Sequence, residues 1–292
     1  MYWLTGNHRY LAASILKFSN EMAVMRFQWS LKEVAGLWDA AEKGSAIYGT
    51  VDSWLVWKLT KGAVHATEPS NASVTGMYDP FILDWSPLCS QLFNIPLNML
   101  PKIFDTNGFF GLADPSWFGS AIPIRAVVGD QQAATFGENC FHLGDTKCTM
   151  GTGMFFNVNT HEKPYASYDG LYPVVGWKLT RQKPVYLMEG SSADVGSLIN
   201  WAQSVQLFDE VSETANMATS VDDSEGAYFM PCLPELATSL DHKLTTSALI
   251  GISPRTTRNH IVRALLETIA FQVKRISDLV ESQAGIELST IW

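Results

Sequence analysis

Two short stretches of this chain carry residue types that could do chemistry together. The first, Ala126-Val127-Val128-Gly129-Asp130-Gln131-Gln132, closes an apolar run from Ile122 to Val128 with a Gly-Asp turn. A buried strand over that run would set one carboxylate at a strand's carboxyl end, where open α/β sheets build their ligand sites. The second, Met150-Gly151-Thr152-Gly153-Met154-Phe155, reads as a tight turn between two strands, Thr146 to Met150 and Met154 to Val158. Bare backbone amides beside one hydroxyl suit a phosphate chain. A carboxylate that accepts a proton from an alcohol, and a cradle for the phosphate the alcohol receives, are the parts of a kinase.

Each of these residues also has a plain structural reading. Asp130 at a strand-to-helix junction could serve only as a helix cap, and Gln131 and Gln132 could be first-turn helix surface. Gly151-Thr152-Gly153 could be an ordinary hairpin turn. Phe155 alternates with Asn157 along a strand and could be core. What favours chemistry is the conjunction of the two stretches.

The elements that must position them follow from periodicity. Phe27, Leu31, Val34 and Trp38 recur at helical spacing, predicting one amphipathic helix that stops at Gly44. Asp52 stands where it could cap or charge-stabilise a helix over Trp54 to Leu59. Ala63 to Thr67 is a short strand, Pro69 to Ser73 a turn, and Pro80 to Pro123 is loop around one helix, Pro87 to Phe93. Strands are expected over Leu171 to Trp177 and Val185 to Met188. Helices are expected over Asp194 to Val205 and Asp209 to Ala218, and over Asn259 to Val280 with one sustained apolar stripe. The composition shifts near residues 138–145, so two domains are expected, 1–140 and 141–292.

Composition narrows the class. At 292 residues, 47% hydrophobic and 17% charged, the chain can fill more than one core. The formal charge is −9 and no Lys/Arg run exceeds two residues, which disfavours a nucleic-acid partner. Cys89, Cys140, Cys148 and Cys232 form no CxxC pair, and the six histidines share no ligand spacing, so no protein-held metal is expected. Without a signal-peptide pattern or a run approaching the ~20 apolar residues of a membrane span, a cytoplasmic chain is expected.

The ordered set Gly49-Thr50-Val51-Asp52-Ser53-Trp54-Leu55-Val56-Trp57, Ser70-Asn71-Ala72-Ser73, Gly129-Asp130-Gln131-Gln132, Gly151-Thr152-Gly153 and Glu189-Gly190 resembles the FGGY carbohydrate kinases, the glycerol kinases above all. Ser247 to Ile252, His260-Ile261 and Ala264 to Glu267 resemble that family's second signature. Leu4-Thr5-Gly6, Leu11 to Ser14 and Asp222 to Gly226 resemble a divergent animal branch of it. The resemblance implies an α/β, actin-like ATPase (ribonuclease H-like) fold of two domains with nucleotide in the cleft between them. It implies ATP and Mg²⁺, phosphorylation of glycerol or a similar small polyol to glycerol 3-phosphate, and leaves room for a homo-oligomer. By position, Asp130 matches the catalytic base and Gln131 its substrate-bonding neighbour. Gly151, Thr152 and Gly153 match the nucleotide phosphate turn, Phe155 the wall behind the glycerol carbons, and Gly196 and Asn200 the nucleotide contacts. Glycerol kinases usually carry Gln at the last of these, one methylene longer.

Departures accompany the match. The family's first phosphate hairpin, its Arg-Glu substrate pair and its adenosine-side loop fall outside the sequence, so a chain truncated at both ends, and inactive as written, is expected. Glu21 stands where a substrate-contacting Tyr is usual, and Pro231 to Leu244 lacks the family's Gly-rich pattern. Two alternatives therefore stay open: a kinase for another polyol or ketose, and a catalytically inactive, kinase-like interaction protein.

Overall fold

In the computed structural model, residues 9, 20, 22–192, 195–231 and 247–292 are described. The expectations on residues 4–6, 11–14, Glu21 and most of 231–244 lie outside them. The described residues form two compact units. The first draws on residues 1–147, Asn157–Gly190 and Gln283–Trp292; the second comprises Cys148–Phe156 and the stretch Ser191–Ser282.

The first unit opens with helices α1 (Ala23–Glu33) and α2 (Leu37–Glu42), not the single helix that the spacing predicts. Gly36 takes a left-handed conformation (φ 76°) between them, and Val34 is exposed. A glycine that readily adopts positive φ ends the periodic run before Trp38. Val24, Phe27 and Leu31 still face one core with Ala41, Met77, Ile95, Met99 and Leu100.

Helix α3 (Val51–Leu59) has Asp52 in its first turn, where negative charge is favourable, but the side chain caps nothing. It accepts instead from the hydroxyls of Thr50 and Thr67, the latter at 2.5 Å, tying the helix to strand β1 (Ala66–Thr67). The predicted turn at Pro69 to Ser73 is a one-turn helix, α4, with Pro at its start, where a missing N–H costs nothing. Strands β2 (Tyr78–Asp79) and β3 (Asp84–Trp85) pair antiparallel, and helix α5 (Pro87–Phe93) follows under a Ser86 cap. Beyond a 3₁₀ turn at Leu97–Met99, strand β4 (Lys102–Ile103) pairs parallel with β1. Strand β5 (Leu112–Ala113), the short helix α6 (Pro115–Phe118) and strand β6 (Ile122–Pro123) come next, β5 and β6 antiparallel.

The long buried strand expected from Ile122 to Val128 is not there. Only Ile122–Pro123 is laddered, and both Ile122 and Val128 are exposed. The run stays extended by isolated bonds, Phe110 N–H to Ile124 O (2.9 Å) and Val127 N–H to Thr106 O (3.1 Å), and leads into helix α7 (Asp130–Gly137). Apolar composition made this run look buried; burial depends on what lies against both faces.

Strands β7 (Thr146–Met150), β8 (Met154–His161), β9 (Tyr172–Trp177) and β10 (Val185–Ser192) form one sheet in the order β7-β8-β10-β9, with β9 and β10 antiparallel. Phe136 of α7 meets Trp177 of β9 edge to face, ring centres 5.2 Å apart.

In the second unit, helix α8 (Gly196–Ser204) is followed by a 3₁₀ turn (Val211–Glu213), helix α9 (Thr214–Thr219), and the antiparallel pair β11 (Tyr228–Met230) and β12 (Ala248–Ile250). Helix α10 (Arg258–Ala284) is the long striped helix expected. Leu265 and Ile269 bury, Leu265 among Leu198, Ala202, Phe208 and Phe229, and Ile269 beside Met154 and Val195.

One group in the first unit gathers several segments of the chain: the Glu68 carboxylate, 0% exposed. It accepts from Ser70 N (3.0 Å), Ser70 Oγ, Asn71 N (2.8 Å), Asn71 Nδ2 (2.9 Å) and Thr106 Oγ1 (2.8 Å). Replacing Glu68 by Ala strips five donors of their acceptor in a dry site. We expect about 2–4 kcal/mol of lost stability, read from urea unfolding by tryptophan fluorescence. A loss under about 1 kcal/mol would show that water or rotated hydroxyls replace it easily.

Candidate active site

Asp130 is the first residue of α7, after Gly129, and its side chain is exposed. Its Oδ1 accepts from the Gln131 N–H at 2.7 Å, so one carboxylate oxygen is anchored to the helix's own first turn. The turn beneath it is held from below: Gly129 N–H donates to Ser70 Oγ at 2.8 Å, and Ser70 belongs to the Glu68 cluster. The Asp130 carboxylate is therefore presented on a backbone that a buried network fixes, as precise proton transfer would require.

Gln131 is half-buried and is not idle helix surface. Its Oε1 accepts from Lys147 Nζ at 2.7 Å. Lys147 lies on β7 and is only 4% exposed. In the same unit the Glu189 carboxylate, 3% exposed on β10, accepts from Tyr172 Oη and from Asn157 Nδ2 (2.7 Å). Burial pushes the Glu189 carboxyl up from the ordinary carboxylate range and the Asp130 charge adds to that, while the Tyr172 and Asn157 bonds and the Lys147 charge pull it back. Lys147 had no place in the sequence reading, and Glu189 entered only as a motif letter. The available signal was a lone lysine in a strand otherwise built of Thr, Cys and Met.

In the second unit, Gly151-Thr152-Gly153 is the turn between β7 and β8. Gly151 N–H donates to Gly153 O at 2.8 Å, closing the turn. The Gly151 amide therefore already has an acceptor within the turn. The carbonyls of the turn are spent as well. Gly196 N–H donates to Gly151 O, and Ser197 N–H to Thr152 O, both at 3.0 Å, so the turn caps the start of α8. This explains Gly196: a Cβ there would lie 2.5 Å from Gly151 O. Asn200, one helical turn further along α8, is exposed.

Phe155, next to the turn, is 40% exposed between buried Met154 and Phe156. It is thus not core, which leaves it accessible to a ligand. Gly151, Thr152, Gly153 and Gly196 are brought together, with Asn200 on the same helix; Asp130 and Gln131 form a separate pair in the other unit. Among the described residues no group of three or more His, Cys, Asp or Glu side chains could hold a metal ion, and no helix is long and apolar enough to cross a membrane.

The family model for the FGGY family of carbohydrate kinases, C-terminal domain, matches residues 146–292, and that for the N-terminal domain matches residues 5–137. The chain belongs to the FGGY family of carbohydrate kinases. FGGY relatives include "Glycerol kinase 5" of Danio rerio, 45% identical over 291 residues, covering 100% of this chain and 55% of that protein. The Homo sapiens protein of the same name is 40% identical over 291 residues, with the same coverage. "Glycerol kinase 2" of Thermotoga maritima is 39% identical over 267 residues, covering 91% of this chain and 54% of that protein. The chain thus spans about half the length of the curated relatives it matches. Among solved structures, Plasmodium falciparum glycerol kinase with ADP matches at TM-score 0.82 and 30% identity, covering 99% of this chain and 61% of that one. A xylulose kinase from Rhodospirillum rubrum matches at TM-score 0.76 and 17% identity, covering 93% and 56%, a likeness of fold alone. The α/β, actin-like ATPase architecture with FGGY N- and C-terminal domains stands.

Two measurements test the local construction. Gly196→Ala must displace the Gly151 carbonyl, and we expect about 1–3 kcal/mol of destabilisation in urea unfolding; a neutral result would mean the turn yields without cost. For Glu189, the folded carboxyl holds its proton more tightly than the unfolded one, whose pKa is ~4.3. Its stabilising contribution is therefore complete below the unfolded value and is lost as pH rises through the raised folded value. Glu189→Gln, neutral at every pH, should shrink the fall in unfolding midpoint between about pH 4 and about pH 8. A variant as pH-sensitive as the parent would contradict this.

Proposed function

We propose that this chain belongs to a kinase that transfers the ATP γ-phosphate to glycerol, giving glycerol 3-phosphate. The observation that carries the reading is the exposed Asp130 carboxylate at the start of α7, buttressed from beneath through Gly129 and Ser70. Names of relatives at 40–45% identity, all "Glycerol kinase 5", support glycerol as the substrate.

In this reading Asp130 accepts the proton of the attacking hydroxyl through the oxygen not engaged by the Gln131 N–H. Gln131 bonds a substrate hydroxyl, and Phe155 offers an apolar face to the glycerol carbons. The Thr152 hydroxyl and the Thr152 and Gly153 amides hold ATP phosphate oxygens, with Gly151 and Gly196 keeping the turn in place and Asn200 reaching the nucleotide from α8. Mg²⁺ would arrive with ATP and would supply positive charge at the phosphate oxygens; among the described residues no group of three or more His, Cys, Asp or Glu side chains would hold it. Phosphoryl transfer asks mainly for positioning and charge neutralisation, and these groups supply both. We assign residues 1–140 to the substrate-side domain and 141–292 to the nucleotide-side domain.

The test is a coupled assay of ADP release with glycerol, run on a chain extended to the full length of the curated relatives. Asp130→Ala should lower kcat by about 10²–10⁴-fold while leaving the unfolding midpoint near that of the parent. Equal turnover in the variant would remove Asp130 as the base. Faster turnover of xylulose than of glycerol by the parent would move the substrate assignment to another polyol or ketose.

A further inference from the structure

An ammonium group buried as deeply as Lys147 persists only with partners that compensate the lost water. One of them is the Gln131 side chain, through Oε1 at 2.7 Å. The chemistry of that contact is one-sided. A lysine ammonium has three donors and no acceptor, whereas a glutamine amide can turn either its oxygen or its nitrogen toward a neighbour. Facing Lys147, only the oxygen makes a bond; the flipped amide would set N–H against N–H in a dry site. The lysine thus decides which way the amide lies, and the nitrogen, whatever it touches, acts as donor.

We propose that Lys147 is a positioning residue that locks the Gln131 amide with Nε2 presented as a donor, so that the site selects a substrate group offering an acceptor oxygen. The proposal rests on the reading above that Gln131 meets the polyol. A polyol hydroxyl fits both neighbours: its hydrogen goes to the Asp130 carboxylate as its oxygen accepts from Nε2. Lys147 sits on β7 and bonds the side chain it orients, and that strand gives the lock a rigid base. The Lys147 charge acts on Glu189, and Glu189 is itself held by Tyr172 and Asn157.

The test uses the full 292-residue chain and glycerol as the probe. The glycerol dissociation constant comes from ¹H–¹⁵N shift titration, which needs no turnover. Lys147→Met should weaken glycerol by roughly 3- to 10-fold, the worth of one hydrogen bond. Lys147→Arg, also a pure donor, should recover most of that. Gln131→Glu keeps the shape and the contact with Lys147 but lacks the N–H, so it should bind glycerol no better than Gln131→Ala at an undiminished unfolding midpoint. In the Gln131→Ala background, Lys147→Met should add nothing. Parent-like affinity in Gln131→Glu, or an equal further loss in the double variant, would overturn the proposal. Should Gln131→Ala bind glycerol as the parent does, the substrate reading of Gln131 fails on its own; should this half-length chain not bind glycerol at all, the affinity arm gives way. The lock is then judged by the Gln131 side-chain amide resonances, which must move in Lys147→Met; unmoved resonances overturn it.

Discussion

The candidate base depends on a carboxylate that never meets substrate. Glu68 sits in a dry interior with five donors turned toward it, and those donors come from α4 and from the loop that carries Thr106. Thr106 in turn accepts from Lys178 N–H at 3.0 Å, just past the end of β9, and Ser70 accepts from Gly129 at the head of α7. One acidic side chain thus ties together segments that the chain separates widely. Burial pushes its carboxyl up from the ordinary range, against the pull of the Ser70, Asn71 and Thr106 hydrogen bonds. A polar hub of this kind stabilises only when every partner is in place, so it enforces one arrangement where an apolar plug would tolerate several.

The same economy recurs a layer nearer the candidate site. Lys147, Glu189 and Asn157 are buried polar groups, and Tyr172 a half-buried one, on four strands of one sheet, and Lys147 holds the Gln131 side chain. Neither cluster needs a strand running straight into Asp130. The extended stretch from Ile124 to Val128 has few ladder bonds of its own, yet Asp130 is still set by Gly129 below and by its own helix above. Support arrives through hydrogen bonds from the side, and sheet regularity along that stretch is dispensable.

Sequence pattern disclosed the elements whose signal is local. The α10 stripe from Ile261 to Val280, the Pro87–Phe93 helix behind Ser86, and the strands flanking Gly151-Thr152-Gly153 all follow from spacing and turn residues. The break at Gly36 was hidden because Val34 and Trp38 continue the period that the backbone abandons. The turn at Pro69 became a helix because Glu68, outside the predicted segment, supplies its cap. Asp130, Gln131 and Thr152 were legible as candidates from residue type. Lys147 and Glu189 were not, since the partners that make a buried charge tolerable come from distant positions and leave no periodic trace.

The Thr152 turn illustrates how local bonding narrows what a site can do. A helix start ordinarily offers unpaired N–H groups to an anion. Here the first two N–H groups of α8, from Gly196 and Ser197, already donate to the carbonyls of Gly151 and Thr152. With Gly151 N–H closing the turn on Gly153, three of the donors near this turn already have backbone acceptors. In the proposed reading, the groups left for phosphate are the Thr152 side chain and the two remaining turn amides, on a turn held by the bonds that occupy the others. The absence of a side chain at Gly196 is what allows that rigidity, because the turn and the helix meet through backbone atoms alone.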